Sequence, residues 1–505
     1  MITINKDLVV IGSGFGAAPP AWRMAKAGWD VAIVEKGPAI NPYTDFQQTQ
    51  NPKYLLRYLK TLHGPDVSLN YVEAQGGGSG FYEHVSLRAP SFIFGQKDDT
   101  GKDHWPKEVN RKILDPYYEM GEQILKVHQI PKHQVPKTGQ VFALMMKKLG
   151  YSVERSRYAV ENCLDCGRCI TGCIYGAKQS LLLNYLPAAV QAGAQMFTET
   201  EVTAVKALKS SASGDQKDLS RSPYRFEVIT TPLGENGAKI KLRTKMLILA
   251  AGTLGTCQLL LKSQSHLPKL SARVGQNVTF NGSVKTLGLL PEWCPDVDLF
   301  SGRSNPGILS YEFLESDHFM ITAGNLMPIQ LLGSSRVSDP GQKDSSFWGA
   351  KHVELMKKMR TRMILLAAQG LAKPDCRLTL DSKGALVFSI GSKRDLNELY
   401  KQGKNLIDNI ILKNGGAILK LDLMSRQGIP YEGTHFTSSH PLGSCRMADS
   451  PQRGVVDYRG EVFGYPGMYI TDGAAISGPL IVNPSLTILA NSERITHTML
   501  KEWGV

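Results

Sequence analysis

The chain has 505 residues, 42% of them hydrophobic, which is too long for one ordinary domain and long enough for a large buried core. No stretch reaches the roughly 18 apolar residues that a membrane span needs. The net charge is +13, yet the basic residues are scattered and no nucleic-acid motif accompanies them, so no nucleic-acid partner is expected.

The first apolar run, Leu8-Val9-Val10-Ile11, begins almost at once with no signal peptide before it. A cytoplasmic protein is expected, with export as a passenger on a partner's signal left open. The run reads as a strand. Gly12-Ser13-Gly14-Phe15-Gly16-Ala17 follows as a turn, then a helix to Gly28, then a second strand over 30–34. This is a βαβ unit. Pro19 and Pro20 are tolerable in a first helical turn. Gly12 permits a tight turn, Gly14 lets the backbone approach a pyrophosphate, and Ala17 allows close helix packing, with the phosphate at the helix N-terminus. Glu35 ends the second strand, about 20 residues on, where a carboxylate accepts from ribose hydroxyls. The acid favours FAD or NAD over NADP, and this motif alone does not separate the first two.

Eight cysteines are present, and four sit together as Cys163-x-x-Cys166-x-x-Cys169-x-x-x-Cys173. The spacing is that of a bacterial ferredoxin run, although Ile174 stands where proline usually follows. An iron–sulfur cluster is the first expectation. A four-cysteine zinc site, or disulfides and free thiols, remain alternatives. Residues 209–222 read as an exposed hairpin or insertion. Val353, Met356, Met359 and Met363 recur at helical spacing beside Lys357, Lys358, Arg360 and Arg362. The expectation there is a core-facing helix with a solvated basic face, ahead of a helix resting on an anionic membrane or acidic partner. Residues 377–390 alternate like a hairpin turning at Lys383-Gly384.

Further motifs carry a family likeness. They are Gly76-Gly77-Gly78-Ser79, the run from Leu247 through Ala250-Ala251-Gly252-Thr253 to Thr256, His440-Pro441-Leu442-Gly443-Ser444-Cys445, Tyr469-Ile470-Thr471-Asp472-Gly473, and Asn483-Pro484-Ser485. In this order they resemble the glucose–methanol–choline (GMC) flavoenzymes across the chain, except parts of roughly 286–430. Gly80-Phe81-Tyr82-Glu83-His84-Val85 resembles the cholesterol-oxidase-like branch. Gly172-Cys173-Ile174-Tyr175-Gly176-Ala177-Lys178 resembles the long-chain alcohol oxidases.

The resemblance implies a doubly wound α/β FAD-binding domain, Rossmann-like and discontinuous in sequence, with a second, substrate domain on a largely antiparallel sheet. The expected division is 1–95, 180–285 and 430–505 for FAD, 96–179 for a cap and cysteine segment, and 286–429 for substrate. It implies FAD contacts at Gly12, Gly14, Ala17, Glu35, Gly77, Gly78, Ser79, Gly252, Asp472 and Gly473. Some relatives tether FAD through a histidine where this chain has Phe81, so FAD is expected to be non-covalent.

Alcohol oxidation removes a hydroxyl proton and a carbon-bound hydride. Flavin takes the hydride, and a histidine is the usual group for the proton. By the resemblance, His440 is the base or proton acceptor, and Asn483 fixes the substrate oxygen. His435 reads as structural, and His84 as a candidate for the active-site lining. The expected activity is oxidation of a sterol, aliphatic or sugar alcohol, with electrons leaving through the cluster to an acceptor protein. An oxygen-using alcohol oxidase and a non-catalytic electron-transfer flavoprotein are the rival readings.

Overall fold

Leu8-Val9-Val10-Ile11 is apolar at every position because both faces of its strand are covered. In the computed structural model, which describes residues 2–504 apart from 50, 99, 209–223, 235–238, 300, 326–335, 339–349 and 423–435, it ends the strand Ile2–Ile11. Leu8 and Val10 pack with Ala21, Met24, Ile495 and Met499 of two helices. Val9 and Ile11 face the main core. Alternate side chains of one strand so serve two layers, which is the signature of a buried parallel sheet.

The strand order in this sheet is Gln195–Phe197, Val31–Val34, Ile2–Ile11, Ile240–Leu249, Phe226–Pro232, Thr200–Ala207, and Met468–Ile470 pairs with the end of Ile240–Leu249. The first four strands and Met468–Ile470 run parallel. The strands from 200 to 249 form an antiparallel meander at one edge. The helix Ala18–Lys26 takes Pro19 and Pro20 in its first turn, where the missing N–H groups have no helical partner to lose. Gly28, with φ +89°, follows that helix and leads into the second strand.

A second sheet is antiparallel throughout. Its order is Arg336–Ser338, Ala417–Asp422, Asn281–Leu289, Met363–Leu371, Phe319–Gly324, Ile308–Ser310, Glu154–Arg155. The helix Lys393–Lys413 buries Leu396, Ile407, Ile410 and Ile411 against it. The hairpin over 377–390 forms as Arg377–Leu380 paired with Leu386–Ser389, and Gly384 supplies the positive φ of its turn.

The basic helix spans Ala350–Arg362. Met359 and Met363 are buried with Leu287, Leu299 and Leu419, but Val353 is half exposed. Arg360 is bound by Asp298. Arg362 is bound by Asp296 and by the carbonyls of Leu290, Pro291 and Cys294. Two of its charges are thus spent within the fold. No described helix is long and apolar enough to cross a membrane. Residues 209–222 and His435 lie outside the described residues.

Candidate functional site

Four turns meet at the carboxyl ends of the parallel strands. Gly12 is the residue its turn requires: φ is +99°, and a Cβ there would lie 2.2 Å from the Ala250 carbonyl oxygen. Gly77 meets the first turn directly, since a Cβ added to it would lie 3.1 Å from the Gly14 Cα. Ser13 joins the two turns: its Oγ donates to Glu35 (2.6 Å) and accepts from the Gly76 N–H (2.9 Å). Glu35 also accepts from the Gly37 N–H. Burial pushes its carboxyl up to about 7, although these donors pull it the other way.

From the far side, Asp472 accepts from Gly252 N–H (2.7 Å), the Thr256 hydroxyl (2.6 Å) and Ala474 N–H (2.8 Å). It is buried and pushed up to about 6. Gly473 carries its backbone against the next loop through the Gly443 N–H. Ala17 is fully buried in the helix packing. Ser79 donates to the Gly76 carbonyl and accepts from Leu181 N–H, so its hydroxyl shapes the loop.

This arrangement fits a dinucleotide. A Cβ added at Gly14, Gly78 or Gly252 would meet nothing within 4 Å, so three glycines border open space. Backbone N–H groups at the start of the helix Ala18–Lys26 are the anion-binding element there.

His440 lies just beyond the strand Phe436–Ser438. Its Nε2 is 3.4 Å from Asn483 Nδ2, so the two residues paired by motif stand together. Its Nδ1 is 3.2 Å from Asn281 Nδ2, a contact the sequence did not disclose. Backbone partners fix that amide: Asn281 Oδ1 accepts from Ile481 N–H (3.0 Å) and Nδ2 donates to the Val482 carbonyl (2.7 Å). An Asn281 N–H therefore points at Nδ1, which favours the neutral tautomer with its proton on Nε2. Burial, with Lys285 adding to it, lowers His440 to about 4, so the ring is neutral near pH 7. Ile481 has φ +62°, a costly conformation for a β-branched residue. Asn281 holds it there, beside Asn483.

The four clustered cysteines line one cavity of about 20 Å³, together with His84, Lys178 and Arg303. All four are free thiols. Among the described residues no three His, Cys, Asp or Glu side chains are gathered closely enough to hold a metal ion. Gly172 must be glycine, because its φ is +101° and a Cβ would lie 2.2 Å from the Phe46 ring. His84 stands on this cavity, with Nε2 3.9 Å from Cys169 Sγ. Lys178, with no role in the sequence reading, is 3% exposed.

Fold and site together define a flavin-dependent oxidoreductase: a dinucleotide cradle with a neutral, oriented histidine among its converging loops. Comparison with known proteins gives the family. Two models described as GMC oxidoreductase match residues 61–281 and 423–492, together more than half of the chain. The chain belongs to the GMC oxidoreductase family and is an FAD-dependent alcohol oxidoreductase. It is 26% identical to a cholesterol oxidase of Acinetobacter baumannii, over 98% of this chain and 94% of that one. It is 24% identical to a long-chain-alcohol oxidase of Arabidopsis thaliana, over 98% of this chain and 67% of that one. The crystal structure of pyridoxine 4-oxidase from Mesorbium loti shares the fold, with a TM-score of 0.71 and 14% identity over 98% of this chain and 99% of that one.

Proposed function

We propose that this protein oxidises the alcohol group of an apolar small molecule, a sterol or long-chain alcohol, to the ketone or aldehyde. The observation that carries the reading is the His440–Asn483 pair, 3.4 Å apart, on loops bound to the dinucleotide turns. The likeness to a cholesterol oxidase and a long-chain-alcohol oxidase favours these substrates over sugars. Residues 286–429 are proposed to supply most substrate contacts.

FAD, when bound, accepts the hydride. Gly12, Gly14, Ala17, Glu35, Gly77, Gly78, Ser79, Gly252, Asp472 and Gly473 would hold it. His440 and Asn483 would hold the substrate oxygen. The Asn281 contact favours a resting proton on Nε2. We therefore propose that His440 first donates to that oxygen and stabilises the charge it gains, in place of the proton acceptor expected from the sequence. We propose Glu83, which like His440 lies in the field of Lys285, as the carboxylate that receives the hydroxyl proton. The test is anaerobic bleaching of the flavin by a panel of sterols, long-chain alcohols and sugars. Bleaching by sugars alone would overturn the substrate class, and bleaching by none of them the activity.

FAD is proposed to be non-covalent. Phe81 is buried against Phe46 and Tyr58 and offers no nucleophile. Acid precipitation is expected to release all of the flavin into the supernatant; yellow colour retained in the pellet contradicts this.

We propose further that the four cysteines hold an iron–sulfur cluster and that the enzyme is a dehydrogenase, yielding electrons to a one-electron acceptor protein. The relatives' names favour a second reading, an oxidase that uses oxygen. Substrate-dependent oxygen uptake separates the two. A dehydrogenase should turn over at least about tenfold faster with a one-electron dye than with air, and a rate with air equal to the dye rate sustains the oxidase.

A further inference from the structure

Asn281 opens the strand Asn281–Leu289, so the face on which it meets His440 continues through Ser283 and Lys285. The other face is closed by the helix Lys393–Lys413. A Cβ added at Gly282 would lie 2.6 Å from Leu399, one at Gly288 would lie 2.6 Å from Ile411, and the Thr286 hydroxyl donates to Asp408. The strand is an inner one, flanked by Met363–Leu371 and Ala417–Asp422. Val284 and Thr286 are buried, yet Lys285 between them is exposed. A lysine exposed at that position looks into open space over the sheet, on the His440 side.

The neighbouring strands extend this face, because residues directly opposite one another share it. Leu371 stands opposite Asn281, Gln369 opposite Ser283 and Ala367 opposite Lys285, and Met320 lies next in the row beyond Gln369. The Gln369 Oε1 is buried without a hydrogen-bond partner, and such an atom calls for a water, ion or ligand to complete it. Neither the Ser283 hydroxyl nor the Lys285 ammonium makes a hydrogen bond or ion pair among the described residues. The Lys285 charge nonetheless reaches the reaction centre, since it acts on both His440 and Glu83.

We propose that this face holds the far end of the substrate, and that the substrate is an apolar alcohol carrying a carboxylate, which Lys285 binds with help from Ser283 and Gln369. The inference rests on the alcohol oxidation proposed above and narrows its substrate. An ammonium offers three donors, a serine hydroxyl one and a glutamine amide two, and a carboxylate accepts on both oxygens. Leu371, Ala367 and Met320 give the apolar spacer a surface to lie on. A mostly apolar floor with a few placed polar groups is the usual form of a small-molecule site. Four residues of strand separate Asn281 from Lys285, about 13 Å, so hydroxyl and carboxylate stand at opposite ends of the molecule. A long-chain hydroxy acid and a sterol with a side-chain carboxylate both have this form.

The test is anaerobic flavin reduction in full-length FAD-loaded protein, as wild type, Lys285→Met and Lys285→Arg. The probes are matched pairs: terminal hydroxy fatty acids of graded length and their methyl esters, and a sterol acid and its methyl ester. The limiting rate and the apparent Kd are read separately. In wild type the acid of at least one pair is expected to exceed its ester in rate over Kd by at least about tenfold, the worth of one hydrogen bond to a charged group. Which pair does so tells chain from sterol. Lys285→Met should lower that ratio by at least about tenfold through the Kd of the acid, and Lys285→Arg should keep most of it. Acids no better than their esters in wild type overturn the inference without any variant. A ratio unmoved in Lys285→Met overturns it too, including the case where acid and ester slow alike, which would make the lysine an aid to the chemistry and not a substrate contact. Bleaching by no acid, ester or neutral alcohol overturns the alcohol oxidation beneath it.

Discussion

Gly14→Val is expected to give a folded, colourless protein. A Cβ at Gly14 meets nothing within 4 Å, so the fold has room for the side chain. That room is where the turn approaches the pyrophosphate, and a branched side chain would hold the phosphate away from the helix N-terminus. Flavin content should fall by at least about tenfold, equivalent to about 1.4 kcal/mol of binding. Gly12→Val is the control with the opposite defect. There φ is +99° and the Cβ would sit 2.2 Å from a backbone oxygen, so folding itself should fail. Circular dichroism of the flavin-free proteins separates the two, because bound FAD stabilises only the protein that binds it and masks the comparison. A Gly14→Val protein with full flavin would remove this turn from the cofactor site.

The βαβ unit was legible because each of its signals is local. Leu8–Ile11, Gly12, Gly14 and Glu35 fall within 28 residues, and their roles follow from backbone geometry. The pairing of His440 with Asn483 was legible only through the family's motif order. Asn281 was not legible. It reaches His440 across 159 residues and Val482 across 201, and nothing local distinguishes an asparagine that orders a strained loop from one on a surface. The antiparallel meander over 200–249 also went unread, since alternation does not reveal strand direction. The basic helix was read correctly at one end only. Met359 and Met363 pack, but Val353 is half exposed, and periodicity cannot report where along a helix burial stops. For the cysteines, spacing suggested the chemistry. Of the buried cations lining the cavity, Lys178 belongs to the same segment as the cysteines, but Arg303 lies 130 residues beyond Cys173 and no local pattern brings it there.

His440→Ala is expected to slow flavin reduction by the true substrate by about 10²–10⁴-fold, the usual worth of a positioned proton-handling group. The loop should survive the change, because backbone contacts anchor it: the Thr253 hydroxyl donates to the Pro441 carbonyl (2.6 Å) and Gly443 N–H to the Gly473 carbonyl (3.0 Å). Asn281 keeps both of its backbone partners without the ring. FAD content should therefore match wild type, and the loss should appear in the reductive half-reaction measured anaerobically. The pH profile adds a second reading. Burial lowers His440 from 6.5 to about 4, so protonation is delayed to more acid solution and the ring is neutral throughout the range in which an ordinary histidine titrates. Wild-type flavin reduction should show no limb near pH 6.5 that depends on His440, whereas Glu35 and Asp472, raised to about 7 and about 6, titrate alike in wild type and His440→Ala. A limb there that vanishes in His440→Ala would mean that the ring titrates as if exposed, and the neutral donor would have to be abandoned. Near-normal reduction by His440→Ala would instead remove the histidine from the chemistry and leave Asn483 and Glu83 to account for it.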